Sequence, residues 1–167
     1  MLGKKMPLYR ICLLCGIALT LMIHPVVALA EDDRAAILAI TDEFFDALKH
    51  RDNDRIMALF HDGAYGASLR WDAEGKPILR HGPEAALPAG EDIWTERYWD
   101  PTVLVEGNIA TIWTPYDFYV NDRFNHCGID VFSFFKIDDE WKIINTAYTV
   151  VQDGSCEMHP DGPPIVE

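Results

Sequence analysis

Positive charge is the scarcest commodity in this 167-residue chain, which has 14 Lys and Arg against 27 Asp and Glu, a net charge of −13. A surface of that sign repels phosphate, and no basic stripe with interleaved aromatics overrides it. Nucleic acid and anionic membrane are therefore excluded as partners. His61, His81, His126 and His159 show no His-x-His or His-Glu-x-x-His spacing, so no metal site is expected. No glycine loop cradles a phosphate and no nucleophile elbow occurs. Gly63-Ala64-Tyr65-Gly66 is only a turn, and no cofactor is implied. There is no internal repeat and no second domain.

Long apolar runs are short here too. Lys4, Lys5 and Arg10 precede an uncharged, Leu- and Ile-rich stretch from Ile11 to Ile23, and Ala28-Leu29-Ala30 closes it. That is the three-part pattern of a signal peptide over residues 1–30. The alternative is an uncleaved anchor, but the stretch rises only about 20 Å as a helix, short of the roughly 30 Å hydrocarbon core. Leu14 before Cys15 argues against a lipoprotein. Cleavage would leave 11 basic against 27 acidic side chains, a net charge of −16. The expected product is periplasmic or secreted and leaves no membrane segment.

Cysteine is rare, with four residues in all. Cys12 and Cys15 leave with the leader, so Cys127 and Cys156 remain as a pair in a compartment that permits disulfides. A Cys127–Cys156 bridge would pin the C-terminal tail to the body and contribute on the order of 3 kcal/mol. The alternative is two free thiols, with Cys127 packing well in a strand.

What is present is patterned. Ile37, Ile40, Phe44, Ala47 and Leu48 recur at helical steps from Asp32 to about His50, and a shorter helix is expected over Asp54–Phe60. Gly66–Trp71 and Pro77–His81 read as strands around the turn Asp72–Gly75. Gly82–Gly90 reads as a loop and Glu91–Trp99 as a third short helix. Four strand-like runs follow, Thr102–Glu106, Ile109–Val120, Phe124–Ile137 and Trp141–Gln152. Gly107-Asn108, Asp122-Arg123 and Asp138-Asp139 would form the tight turns between them. The two longest runs must bend, as in a sheet that curls. Residues 31–152 form the expected domain, of α+β class, and 153–167 a tail.

Helices first, then a lone hairpin, then a long bent meander is the order of elements in the NTF2-like superfamily. The run Ala110–Tyr119, then His126-Cys127-Gly128-Ile129-Asp130-Val131-Phe132, then Asp139-Glu140-Trp141-Lys142-Ile143-Ile144, resembles the C-terminal sheet of nuclear-transport-factor-2 family proteins, including the SnoaL-like and lumazine-binding groups. The resemblance implies a cone in which N-terminal helices pack on a curved antiparallel sheet around a pocket. It also implies a homodimer through the outer sheet face. Enzymes and non-catalytic binders share that frame.

With two-residue turns at Asp122-Arg123 and Asp138-Asp139, Tyr119 pairs with His126, and Asp130 pairs with both Pro115 and Ala147. Trp113, Asp117, Tyr119, His126, Asp130, Phe132 and Asn145 then share one face; a slip of one residue inverts it. His126, Asp130 and Tyr119 are the catalytic candidates, and Trp113, Asp117, Phe132 and Asn145 the ligand-binding ones. Imidazole titrates near neutrality, and a desolvated carboxyl can be held protonated. The stretch Ile129-Asp130-Val131 is similar to the strand of ketosteroid isomerases that carries a protonated aspartate. The general base of those enzymes has no counterpart in Ala64-Tyr65-Gly66-Ala67-Ser68, so that specific activity is not expected. The expected function is binding of a small, partly apolar organic molecule, suited to acid–base lyase or isomerase chemistry. A non-catalytic binding domain or dimeric assembly domain, with Asp130 a structural acid, is the alternative.

Overall fold

The computed structural model describes residues 24–88 and 90–164, and of residues 24–30 the backbone alone. The expected leader lies outside the described residues up to position 23. Two helices, α1 (His24–His50) and α2 (Asn53–Leu59), precede seven strands. These are β1 (Phe60–Trp71), β2 (Pro77–Pro83), β3 (Trp94–Tyr98), β4 (Thr102–Glu106), β5 (Ile109–Val120), β6 (Arg123–Ile137) and β7 (Glu140–Val150). No helix among the described residues is long and apolar enough to cross a membrane.

Helix α1 forms where the helical spacing predicts it and buries Ile37, Thr41, Phe45, Ala47 and Leu48. Burying each large apolar side chain contributes roughly 2 kcal/mol. Arg51, at φ 53, breaks the helix, and the Asp52 carboxylate caps α2 by accepting from the Arg55 amide. Polar clamps set the helix on the sheet. Lys136 Nζ and Trp141 Nε1 donate to Asp33 Oδ1 at 2.8 and 3.0 Å, and Tyr98 donates to Asp42.

The sheet runs in the order β2-β1-β7-β6-β5-β3, with β4 also on β5. Every pair is antiparallel except β1 with β7. It is the α+β cone expected from the element order. Two readings are corrected: Gly63-Ala64-Tyr65-Gly66, read as a turn, lies within strand β1, and Trp94–Tyr98, within the stretch read as a third helix, is strand β3, paired residue for residue with Val120–Tyr116. Alternation decides its conformation. Trp94, Glu96 and Tyr98 face inward and Thr95 and Arg97 outward, which the apolar spacing at 93, 94 and 98 disguised.

The register is also corrected, and the physical reason is two β-bulges. The β5–β6 turn is Asn121-Asp122, both at positive φ, one residue before the expected place. Moving a two-residue turn by one position shifts the pairing by two and leaves the faces unchanged. The bulge at Asn125 adds a single step, so Phe118 rather than Tyr119 faces His126, and Thr114 rather than Pro115 faces Asp130. On the other side the Asp138-Asp139 turn forms as expected, at φ 51 and 64. A second bulge at Ile144 then places Tyr148, not Ala147, opposite Asp130. Both neighbours of β6 are thereby inverted relative to it.

The bridge Cys127–Cys156 is present, with Cα atoms 6.2 Å apart. It fastens the tail after β7, and His159 packs edge-on against Trp99 with ring centroids 5.3 Å apart.

Candidate functional site

After the two inversions, the inner face of the curled sheet carries the even-numbered residues of β3 and β5 and, beyond their bulges, of β6 and β7, together with those of the second half of β1. Helix α1 closes one side of this concavity with Phe44 and Leu48. The loop after β2 closes another with Glu84 and Leu87. That loop is held by reciprocal hydrogen bonds between the Asn53 side chain and the Leu87 backbone and by Arg51, which lies 4.1 Å over the Trp94 ring and donates to the Pro88 carbonyl. The result is a cavity of about 290 Å³. Its walls are Phe44, Phe60, Trp94, Phe118, Phe132, Leu48, Leu87 and Val150, and its polar groups are Arg70, Glu84, Glu96, Tyr116, His126, Asp130, Thr146 and Tyr148. An apolar body with a few convergent polar groups is how a small-molecule site is built.

Glu96 and Asp130 are the two most perturbed acids of the cavity. The two carboxyls lie close enough to act on each other, and Asp130 Oδ2 is buried without a hydrogen-bond partner among the described residues. Burial pushes Asp130 up to about 7, while burial and the adjacent negative charge of Asp130 hold Glu96 well above the ordinary carboxylate range. Two carboxyls this close cannot both ionise, so the pair keeps one proton near neutral pH. Burial lowers His126 to about 4, helped by the nearby Arg70 cation, so its imidazole is neutral. Its ring leans on Phe118 at 4.8 Å and its Nδ1 meets Asn125 Oδ1 at 2.7 Å. Tyr116 donates to the Thr149 carbonyl at 2.8 Å, and burial and the neighbouring carboxyls raise its phenol.

Of the seven residues singled out in the sequence, His126, Asp130 and Phe132 line the cavity. Tyr119, Asp117, Trp113 and Asn145 do not. Asp117 is fully buried on the opposite face in a bidentate pair with Arg97, and Tyr119 packs there under the same guanidinium. Trp113 is 46 % exposed on the outside. Asn145 donates to the Tyr65 carbonyl at 2.6 Å. Glu96, Arg70, Tyr116, Phe118 and Tyr148 are among the cavity residues that the sequence does not single out. The alternation Trp94-x-Glu96-x-Tyr98 was the available signal for the most important of them. Among the described residues no group of three His, Cys, Asp or Glu is placed to hold a metal ion.

No family model matches the chain, and no curated protein matches it by sequence. Solved structures do match. The beta subunit of a proposed aromatic-ring-hydroxylating dioxygenase from Novosphingobium aromaticivorans superposes with a TM-score of 0.62 at 15 % identity, over 74 % of this chain and 92 % of that one. An NTF2-like protein with a cystatin-like fold from the same organism gives 0.60 at 16 % identity, over 80 % and 94 %. A proposed dehydratase of the NTF2-like family from Streptomyces avermitilis gives 0.53 at 12 % identity, over 72 % and 97 %. The chain has the NTF2-like, cystatin-like fold.

Proposed function

We propose that this protein binds a small, partly apolar organic molecule in the cavity and moves a proton on it through the Glu96–Asp130 pair. The observation that carries the reading is two adjacent carboxyls lining one aromatic-walled cavity, with no cation paired to either among the described residues. A structural pair would be expected to be neutralised, as Asp117 is by Arg97. With one shared proton, the ionised member takes a proton from carbon while the protonated member delivers one to oxygen. If the oxygen is a leaving hydroxyl, water departs, a double bond forms and the pair ends with its original single proton. If the proton returns to a different carbon, the product is an isomer. Neutral His126 beside the pair is suited to orienting a polar ligand group. That one structural neighbour is a proposed dehydratase gives this class coarse support.

Two further expectations belong to the same reading. The tripartite leader and the disulfide support an exported protein, periplasmic or secreted. The outward apolar row Leu69, Leu79, Ile129, Val131 and Ala147 supports a homodimer through the outer sheet face. The test of the main reading is a thermal-shift panel of small aromatic and alicyclic ketones, hydroxy acids and enones on the wild type, Asp130→Asn and Phe132→Ala. At least one probe class is expected to stabilise the wild type and to lose its shift in both variants. A panel without shifts, or shifts unchanged in both variants, contradicts it.

A further inference from the structure

Arg70 is the unexplained charge of the cavity. The other partly buried arginines all have acceptors: Arg34 donates to the Val103 carbonyl, Arg51 to the loop carbonyls, Arg55 to Glu43 and Asp46, and Arg97 to Asp117. Arg70 alone among them has neither a carboxylate nor a carbonyl acceptor, and its Nε is buried without a hydrogen-bond partner, counting the described residues. A buried donor left open is uncommon in a folded protein and calls for a partner, whether an ordered water, an ion or a group of a ligand. Nε is also one of the two donors with which a guanidinium grips a carboxylate in parallel hydrogen bonds.

We infer that the cavity takes an organic carboxylate with a flat apolar body, and that Arg70 binds the carboxylate end. This rests on the cavity being a ligand site, as proposed above. Position supports it. Arg70 stands on β1, two strands from β6 across β7 and two residues along from the level of Asp130, about 12 Å away at ordinary strand spacing. One small ligand therefore spans both, with its anion held away from the negative charge of the carboxyl pair and its middle among Phe44, Phe118 and Phe132. Glu84, the other acid on the wall, is engaged by the Thr146 hydroxyl rather than by Arg70. His126, held neutral, does not compete for the anion.

The experiment pairs each acid with its neutral isostere: cinnamate with cinnamamide, and phenylacetate with phenylacetamide. Affinities are measured at neutral pH by chemical-shift perturbation on the full chain, for the wild type, Arg70→Gln and Arg70→Lys. For at least one pair the wild type is expected to bind the acid about tenfold or more tightly than the amide. Arg70→Gln should lose about that factor for the acid and leave the amide within about twofold, with Arg70→Lys intermediate. Equal affinity for acid and amide, or an acid affinity unchanged in Arg70→Gln, overturns the inference. If Arg70→Gln does not fold, the acid-to-amide ratio on the wild type decides alone. Amides that perturb cavity residues while acids do not would overturn the anion inference and leave the cavity reading standing. Cavity resonances indifferent to all four probes would overturn both.

Discussion

Glu96 and Asp130 line the same cavity and act on each other although their strands, β3 and β6, are not neighbours in the sheet, since β5 lies between them. Curvature brings the two carboxyls over the same strand, and burial does the rest. The first prediction follows from the sign of that burial. A carboxyl raised in the fold holds a proton that the unfolded chain has already lost, so its contribution to stability is present below about pH 4 and is lost as pH rises through about 7. His126 acts in the opposite sense, since its lowered value makes stability rise from about pH 4 to 6.5. The two oppose each other in acid, and only the falling limb remains above pH 6.5. The melting temperature should drop by about 5 °C between pH 6.5 and 8.5, and Asp130→Asn should flatten that limb. An identical slope in Asp130→Asn and Glu96→Gln contradicts the assignment.

Asp117 separates a structural acid from the acids of the cavity. Its carboxylate is fully buried and fully spent on Arg97. Asp117→Ala leaves that guanidinium without its partner and should cost about 3–5 kcal/mol in denaturant unfolding. Any cavity ligand found for the wild type should bind the folded fraction unchanged. A selective loss of ligand binding with little loss of stability would place Asp117 in the site after all.

Gly128 is small because the chain passes too close for anything larger. It faces Tyr116 across the β5–β6 ladder, and a Cβ there would overlap the Thr149 carbonyl, the acceptor of the Tyr116 hydroxyl. Gly128→Ala should therefore destabilise by about 2 kcal/mol or more through overpacking at backbone that cannot move aside. Urea unfolding measures it, and a change within about 0.5 kcal/mol would show that β6 and β7 part freely.

The Cys127–Cys156 bridge closes a 29-residue separation. Its loss in a Cys127→Ala, Cys156→Ala double variant should cost about 2–4 kcal/mol while leaving cavity ligands bound, since the bridge lies on the outer face. Melting with and without reductant tests this in the wild type. Insensitivity to reductant, with the thiols shown to be released, would mean that the tail contributes nothing to the fold.

How far the sequence carries is visible strand by strand. The helices, the hairpin turns at Gly107 and Asp138, the bent meander and the cysteine pair are written in local patterns of one element each. Asp130 and His126 were found because both lie on β6, whose own alternation holds whatever its neighbours do. Trp113, Asp117, Tyr119 and Asn145 were placed by counting across turns, and Asn125 and Ile144 each add one residue that no turn signal announces. A bulge is stabilised by the twist of the assembled sheet, so its position is not a property of the segment that contains it. Glu96 was hidden for a related reason. Its five-residue strand has no pattern that outweighs a helical reading until β5 is there to pair with it.

A proton shared by Glu96 and Asp130 inside the cavity is visible in a carboxyl-carbon NMR titration. With Asp and Glu side chains labelled at the carboxyl carbon and assigned through Glu96→Gln and Asp130→Asn, the pair is expected to release its first proton near pH 7 and its second well above the ordinary range. Each substitution should also change the titration of the carboxyl that remains. Two carboxyls that titrate independently at ordinary acidic values would contradict it.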